Sequence, residues 1–384
     1  MKALLVVPRL PGTGHTGDRL RAEIHLAALH EAGFEVTVAG GAPPGGAPDV
    51  PGAERTISVP QPHSSKAAGL VRALVSGAPL QSALFSGPWK ETLARGGSFD
   101  LIVLLLPQRL FPHAGDALPA GPRVVDYVDA LGAAARQAAR KDPALWRRLY
   151  WRFEAPRLSQ MEQDAARGAR LLVATTAFDA GELPAGTLAA ANGVTVRPVS
   201  IGPRGAAVAF TGRLRYRPNE LAVRELLREI WPRVRREAPE ARLLLGGADV
   251  PPEFRRVHGA EGVDVTSPVE DMAVFLRRAR VVAVPVTLGT GTPNKLFEAF
   301  EAGCAVVASP EVVARAAADG VSPPARVART SGEFASALLA YLRDAGSAVE
   351  DGRRGRAWIE AHADRRLAIA TLASACSRAR EDGG

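Results

Sequence analysis

Short apolar runs alternate along this chain with stretches of helical spacing. Ala3–Val7 is the first run, and an unbroken apolar run fits a strand covered on both faces. Leu20, Ile24, Ala27 and Ala28 then recur at helical intervals, predicting a helix over Leu20–Leu29 closed by Gly33 as its C-cap. Phe34–Val38 reads as the next strand, and a loop rich in Gly and Pro follows from Gly40 to Gly52. Leu101–Leu106, Val124–Val128 and Leu171–Thr175 are further buried-strand candidates. Val196–Ala206 carries Pro198, Gly202, Pro203 and Gly205, which gives it linker character. Beyond it the alternation resumes. Strands are expected at Ala207–Thr211, Arg242–Gly246, Val263–Thr266, Val281–Val286 and Ala305–Ser309, and helices at Asn219–Arg236, Asp271–Ala279 and Asn294–Gly303. Thr330 with Glu333 predicts a capping box opening the helix that carries Phe334, Leu338 and Leu342. A last helical stretch, Ala357–Arg380, has no strand after it. The pattern predicts an α/β fold in two halves, each a parallel sheet with helices on both faces. The expected domains are residues 1–200 and 201–355, with a closing helical segment over 356–384.

Composition narrows the setting. The two cysteines, Cys304 and Cys376, cannot build a disulfide framework or a four-thiolate zinc site. The longest clear apolar run, Leu101–Leu106, falls far short of a membrane span. The first residues meet Pro8 too early for a signal-peptide core, so a cytoplasmic location is expected. Net charge is +8, from 48 Lys+Arg against 40 Asp+Glu. Nucleic acid, an anionic membrane or a phosphorylated small substrate would each suit that excess, as would a general Arg-rich bias. Helix-turn-helix, zinc-finger and RNA-binding aromatic signatures are all missing, so no nucleic-acid partner is expected. Between Arg136 and Arg157 seven basic residues accompany Asp142 and Glu154, with Trp146, Tyr150 and Trp151 among them. That mixture fits an anionic membrane surface, or equally a solvated helix whose aromatics pack on the core.

The densest chemistry lies in Val284–Ala302. It reads as strand, glycine-bearing turn and helix. Gly289 and Gly291 let backbone approach a ligand, and Pro293 suits a first helical turn. The helix N-terminus favours an anion such as a diphosphate; Lys295 adds a full charge, and Glu298, one turn on, can accept from hydroxyls. An ordinary βα turn with a surface Lys and Glu is the plain alternative. Gly12–Asp18 is a second glycine-rich loop, but Val36–Val38 is followed by Ala39-Gly40-Gly41. No acidic ribose partner stands there, which disfavours a dinucleotide enzyme. Asp126 and Asp129 sit at a strand end, where α/β sheets bind ligands. Asp129 could orient an acceptor hydroxyl, whereas Asp126 fits a structural role. His113 is a weaker candidate, and no residues have metal-cluster spacing.

Asn294-Lys295-Leu296-Phe297-Glu298-Ala299-Phe300-Glu301-Ala302-Gly303 resembles the donor-binding segment of the GT-B-fold glycosyltransferases, in particular the retaining bacterial sugar transferases that build exopolysaccharides. Phe210-Thr211-Gly212-Arg213 with Tyr216-Arg217-Pro218-Asn219 is similar to the opening of that family's donor domain. Trp231-Pro232, Pro239–Leu243, Asn192-Gly193-Val194 and Gly17–Arg21 extend the resemblance over most of the chain. It implies two Rossmann-like domains facing across a cleft, acceptor-binding first and donor-binding second, with the C-terminal helix crossing back. It implies glycosyl transfer from a nucleotide-diphosphate sugar to a hydroxyl acceptor, lipid-linked in many such enzymes, without metal or other cofactor. Glu298 would hold the ribose. Arg213, Lys295, Asn294 and the amides near Gly291 and Thr292 would hold the diphosphate, and the turn at Val269 would meet the base. Asp18 and Asp129 would serve the reacting groups. Two positions depart from the family pattern. Thr290 stands where a second Glu is usual, eight residues before Glu298, and no Lys follows Gly212-Arg213 closely, leaving Arg217 as a substitute or Lys295 to act alone. Thr290 motivates the alternative of a non-catalytic nucleotide or glycan binder. A lipid-linked acceptor and the basic segment together place the expected enzyme on the inner membrane face.

Overall fold

The computed structural model describes residues 1–11, 17–42, 50–60, 71, 73–94, 96–318 and 320–381. The chain forms two compact units, Met1–Asn192 with Arg366–Gly384, and Gly193–Arg365.

The first unit is a seven-stranded sheet in the order β3-β2-β1-β4-β5-β6-β7. Its strands are β1 Lys2–Val7, β2 Glu35–Gly41, β3 Arg55–Val59, β4 Leu101–Leu105, β5 Arg123–Asp126, β6 Leu171–Ala174 and β7 Leu188–Ala189. Every pairing is parallel. Strand periodicity explains the unbroken apolar runs, because both faces are covered. Ala3, Leu5 and Val7 share one core with Ile24, Leu29 and Leu372, whereas Leu4 and Val6 share another with Trp89 and Leu110. Leu372, Ala373, Cys376 and Ala379 belong to the closing helix Arg365–Glu381, which therefore completes the first unit. Arg170 donates from Nη1 to the Ala379 carbonyl at 3.2 Å.

The second unit is a six-stranded sheet in the order β10-β9-β8-β11-β12-β13. Its strands are β8 Ala207–Arg213, β9 Arg242–Ala248, β10 Val263–Thr266, β11 Val281–Val284, β12 Ala305–Ala308 and β13 Arg326–Val327, again all parallel. Thr330 caps the helix Ser331–Arg343 by accepting from the Glu333 amide at 3.1 Å.

Three elements differ from expectation. The strand expected over Val124–Val128 ends at Asp126, since Val128 adopts φ 63°. The helix expected over Asn219–Arg236 is Arg217–Glu225, one π-helical stretch at Leu226–Ile230, and Trp231–Glu237. The single helix expected over Ala357–Arg380 is two, Ala345–His362 and Arg365–Glu381. The break has a cause distant in sequence. Val194 donates to the Ala363 carbonyl at 2.8 Å and accepts from the Arg365 amide at 3.1 Å, pairing the chain between the helices as a short bridge. Gly193 has φ 61°, and a Cβ there would lie 2.7 Å from the Arg365 Cα. Among the described residues, no helix is long and apolar enough to cross a membrane.

Candidate functional site

Four parallel strands of the second unit end together, and their loops build the site. β8 ends in Gly212-Arg213 and β9 in Gly247-Ala248. The two strands run so close that a Cβ on Gly247 (φ 148°) would sit 1.8 Å from the Gly212 oxygen. After β11 the chain makes the turn carrying Gly289 (φ 113°) and Gly291 (φ 79°), then enters the helix Asn294–Glu301. Both conformations suit glycine and would strain other residues. β12 follows, and its next residue, Ser309, donates to the Val286 carbonyl at 2.6 Å, bracing the chain before the turn.

Lys295 and Asn219 meet across these loops. Lys295 Nζ donates to Asn219 Oδ1 at 2.9 Å, and Asn219 Nδ2 donates to the Arg213 carbonyl at 2.9 Å. The Lys295 stem passes Gly212, where an added Cβ would stand 3.6 Å from it. Burial lowers the Lys295 pKa to about 8, with Glu298 opposing the shift and Arg315 adding to it. Burial raises Glu298 to about 7, with Lys295 opposing and Glu301 adding. A cation and a carboxylate one helical turn apart are thus both held near neutrality by desolvation. Thr292 Oγ1 is a buried hydroxyl with no hydrogen-bond partner among the described residues. Buried polar atoms are nearly always satisfied, so this one fits a site that takes a polar ligand.

The other expected donor residues are dispersed around this pair. Asn294 opens the helix, its amide bonded to the Thr292 carbonyl at 2.8 Å. The exposed Arg213 side chain ion-pairs with Asp249 at 2.5 Å. Arg217 pairs with Glu220 along its own helix at 3.4 Å. Val269 follows β10 and packs half-buried against the core. Thr290 stands partly exposed between the two glycines of the turn.

Arg315, Asn219 and Tyr216 complete the site without having been singled out as ligands. Buried Arg315, from the helix Pro310–Ala316, donates Nη1 to the Gly289 carbonyl at 2.9 Å, fixing the turn from behind. One arginine among many carries no sequence signal of that role. Asn219 was legible only as part of the Tyr216–Asn219 motif. Tyr216 is exposed, and its hydroxyl lies 4.0 Å from where a Gly289 Cβ would be.

In the first unit the candidate carboxylates gather at the ends of β5 and β6. Asp126 is fully buried, accepting from Arg21 Nε at 2.7 Å and the Val128 amide at 2.7 Å, with His25 bonded to the same carboxylate. Burial alone would raise its pKa; Arg21 and His25 hold it at about 2. It is a structural anchor. Asp129 is partly buried, and burial together with the nearby Asp179 charge raises it to about 7. Asp179 accepts from the Ala130 amide at 3.1 Å. Gln108 donates to the Asp129 carbonyl at 3.0 Å and to buried Glu162 at 3.2 Å. Asp18 lies in the first turn of the helix Gly17–Glu31, partly exposed and one turn before Arg21. His113 bonds to the Ser82 carbonyl at 2.8 Å, a local structural contact. Of the expected glycine loop Gly12–Asp18, residues 12–16 lie outside the described residues.

Residues 205–344 match the family model described as "Glycosyl transferases group 1". That stretch of the second unit is similar to the family's domain. The match spans β8 to the helix Ser331–Arg343 and so contains the whole Lys295–Glu298 site. No curated protein sequence matches the chain. Solved structures do. Sucrose-phosphate synthase from Thermosynechococcus elongatus aligns over 100% of both chains at TM-score 0.70 and 17% identity. WaaG, a glycosyltransferase involved in lipopolysaccharide biosynthesis, aligns over 100% of both at TM-score 0.67 and 14% identity. HepE of Anabaena, solved in complex with UDP, aligns over 98% of this chain and 100% of that one at TM-score 0.66 and 15% identity. At such identities the likeness is one of fold, the GT-B class built on two parallel α/β sheets.

Proposed function

We propose that this group 1 domain takes a nucleotide-diphosphate sugar, and that the protein transfers the glycosyl unit to a hydroxyl acceptor. The observation that carries the reading is the site of Lys295, Glu298, Thr292 and the glycine turn at one helix N-terminus, inside the matched segment. The positive helix end and Lys295 suit a diphosphate, and Glu298 suits two vicinal ribose hydroxyls. Structures of HepE with UDP and with UDP-glucose support a nucleotide sugar as ligand. In this reading Lys295, the turn amides and Arg213, once released from Asp249, stabilise the leaving diphosphate without a metal. The reaction retains anomeric configuration, and Asp129, with Asp18 nearer the N-terminus, serves the acceptor side. The product belongs to polysaccharide assembly, the transferred unit is a hexose, and the acceptor is lipid-linked and met at the inner membrane face.

A thermal-shift screen with uridine, guanosine, thymidine and adenosine diphosphates identifies the base, because the ligand stabilises the fold by mass action. Incubation with the matching nucleotide sugars should then release nucleoside diphosphate, undiminished by a chelator. Glu298→Ala should abolish the thermal shift. Binding without turnover against any acceptor would favour the binder reading that Thr290 motivates.

A further inference from the structure

The helix Leu145–Ala166 of the first unit is apolar on the side that faces away from its core. Leu145, Trp146, Leu149 and Phe153 are 66%, 65%, 60% and 39% exposed. At 3.6 residues per turn these four fall within an arc of about 100°. Buried Glu154, Leu158 and Ala165 occupy the opposite side. A soluble helix normally turns such a stripe inward, so this one faces a partner or a bilayer.

The charge around the stripe decides which. Exposed Arg148 and Arg152 flank one edge and half-buried Arg157 the other, with Arg140 and Lys141 at the end of the preceding helix Leu131–Lys141. Arg147 lies over the Trp146 ring at 4.6 Å and Arg157 over the Phe153 ring at 3.5 Å. The two acids of the segment, Asp142 and Glu154, are themselves buried, and Glu154 accepts from the Leu80 amide at 2.9 Å. Arg136 pairs with Glu182 at 2.7 Å. An apolar stripe of leucines and aromatics inside a cationic rim matches acyl chains beneath anionic headgroups.

We propose that this face seats the protein on an anionic lipid surface, with Leu145, Trp146, Leu149 and Phe153 entering the interface and the arginines meeting headgroups. This deepens the lipid-facing part of the reading above. Vesicle binding is scored without a transferase assay, so either can fail while the other stands.

The test is co-sedimentation with phosphatidylcholine vesicles, with and without phosphatidylglycerol, at low and high salt. Wild type should bind the anionic vesicles, bind the neutral ones weakly, and lose much of its binding at high salt. Trp146→Ser/Leu149→Ser should weaken binding at least about tenfold, since each side chain forfeits its burial. Arg148→Glu/Arg152→Glu should remove the preference for anionic lipid. All four positions are exposed, so unchanged melting temperatures will certify folding. Failure to bind anionic vesicles at low salt, or binding that survives both variants, overturns the proposal. So does self-association that Trp146→Ser/Leu149→Ser abolishes, which would assign the stripe to a second copy of the chain.

Discussion

Affinity for a nucleoside diphosphate should peak in a narrow pH window set by Glu298 and Lys295. Burial holds Glu298 near 7 and Lys295 near 8 in the free protein. Below the first value the carboxylate takes a proton and no longer accepts from ribose hydroxyls as an anion. Above the second the ammonium loses its charge and its hold on phosphate. Binding therefore weakens on both sides, by up to about tenfold per pH unit for one required ionisation. The fall is bounded by what each group supplies: a hydrogen bond to a charged group is worth ~1.5–3 kcal/mol, roughly ten- to 150-fold in affinity. The ligand complicates the acid limb, because a terminal phosphate titrates near about 6. Glu298→Gln separates the two, since any acid limb surviving in it belongs to the phosphate. Titration calorimetry with uridine diphosphate from about pH 6 to 9, on wild type, Glu298→Gln and Lys295→Met, reads the profile directly. Wild type should show both limbs, Glu298→Gln a weaker acid limb, and Lys295→Met a flat alkaline side. A flat wild-type profile, or an acid limb identical in Glu298→Gln, refutes the assignment of these groups to the ligand.

Gly247→Ala should destabilise the protein by ~3 kcal/mol or more, because its Cβ would fall 1.8 Å from the Gly212 oxygen at φ 148°; urea unfolding measures it, and an unchanged midpoint would mean the strands can part there. Asp126→Asn should cost ~3–5 kcal/mol by leaving Arg21 buried without its counter-charge. In wild type, Asp126 is held at about 2 against an ordinary 3.8, so its contribution is present above 3.8 and is lost as pH falls through about 2. Unfolding followed down the acid range should show this loss, on the order of 2 kcal/mol, in wild type and not in Asp126→Asn. Arg315→Met should weaken diphosphate binding about tenfold, the loss of one charge-assisted hydrogen bond, while leaving affinity for the bare nucleoside unchanged. Arg315→Lys should recover part of it, and equal losses for both ligands in calorimetry would reduce Arg315 to a folding role.

The strands were readable because burial on both faces writes them as unbroken apolar runs. β3, β7 and β13 were not, since Arg55–Val59, Leu188–Ala189 and Arg326–Val327 are short strands at the sheet edges. The break at Ala363–Asp364 escaped helical periodicity because its cause is a partner far away in sequence, Val194. Glu298 and Lys295 were legible from local spacing alone, one turn apart behind a glycine turn. Arg315 and the close crossing of Gly212 and Gly247 were not, because each depends on which strands become neighbours. The basic segment was legible as a mixture of arginine and aromatics, but its orientation was not. Only burial of Leu158 and exposure of Leu149 tell which side of that helix faces out.

Both units place their polar residues at the carboxyl ends of parallel strands, yet the two ends carry opposite chemistry. In the second unit the strand ends bring a lysine, glycine amides and a helix N-terminus together, with Arg315 behind the turn. In the first unit the corresponding ends gather Asp126, Asp129, Asp179 and Glu162, with Asp126 salt-bridged to the buried Arg21. Burial and the Asp179 charge raise Asp129 against the opposing Arg109 and Arg21, and burial raises Glu162 against Arg136. A diphosphate would meet repulsion there and attraction in the second unit. A hydroxyl is the reverse case: it donates readily to a carboxylate and gains little from a lysine. In the proposed reading, charge would divide the two substrates accordingly, with the anionic donor on the cationic strand ends and the neutral acceptor on the acidic ones. Asp129, the partly exposed member of the acidic set, is the carboxylate that this reading assigns to the acceptor.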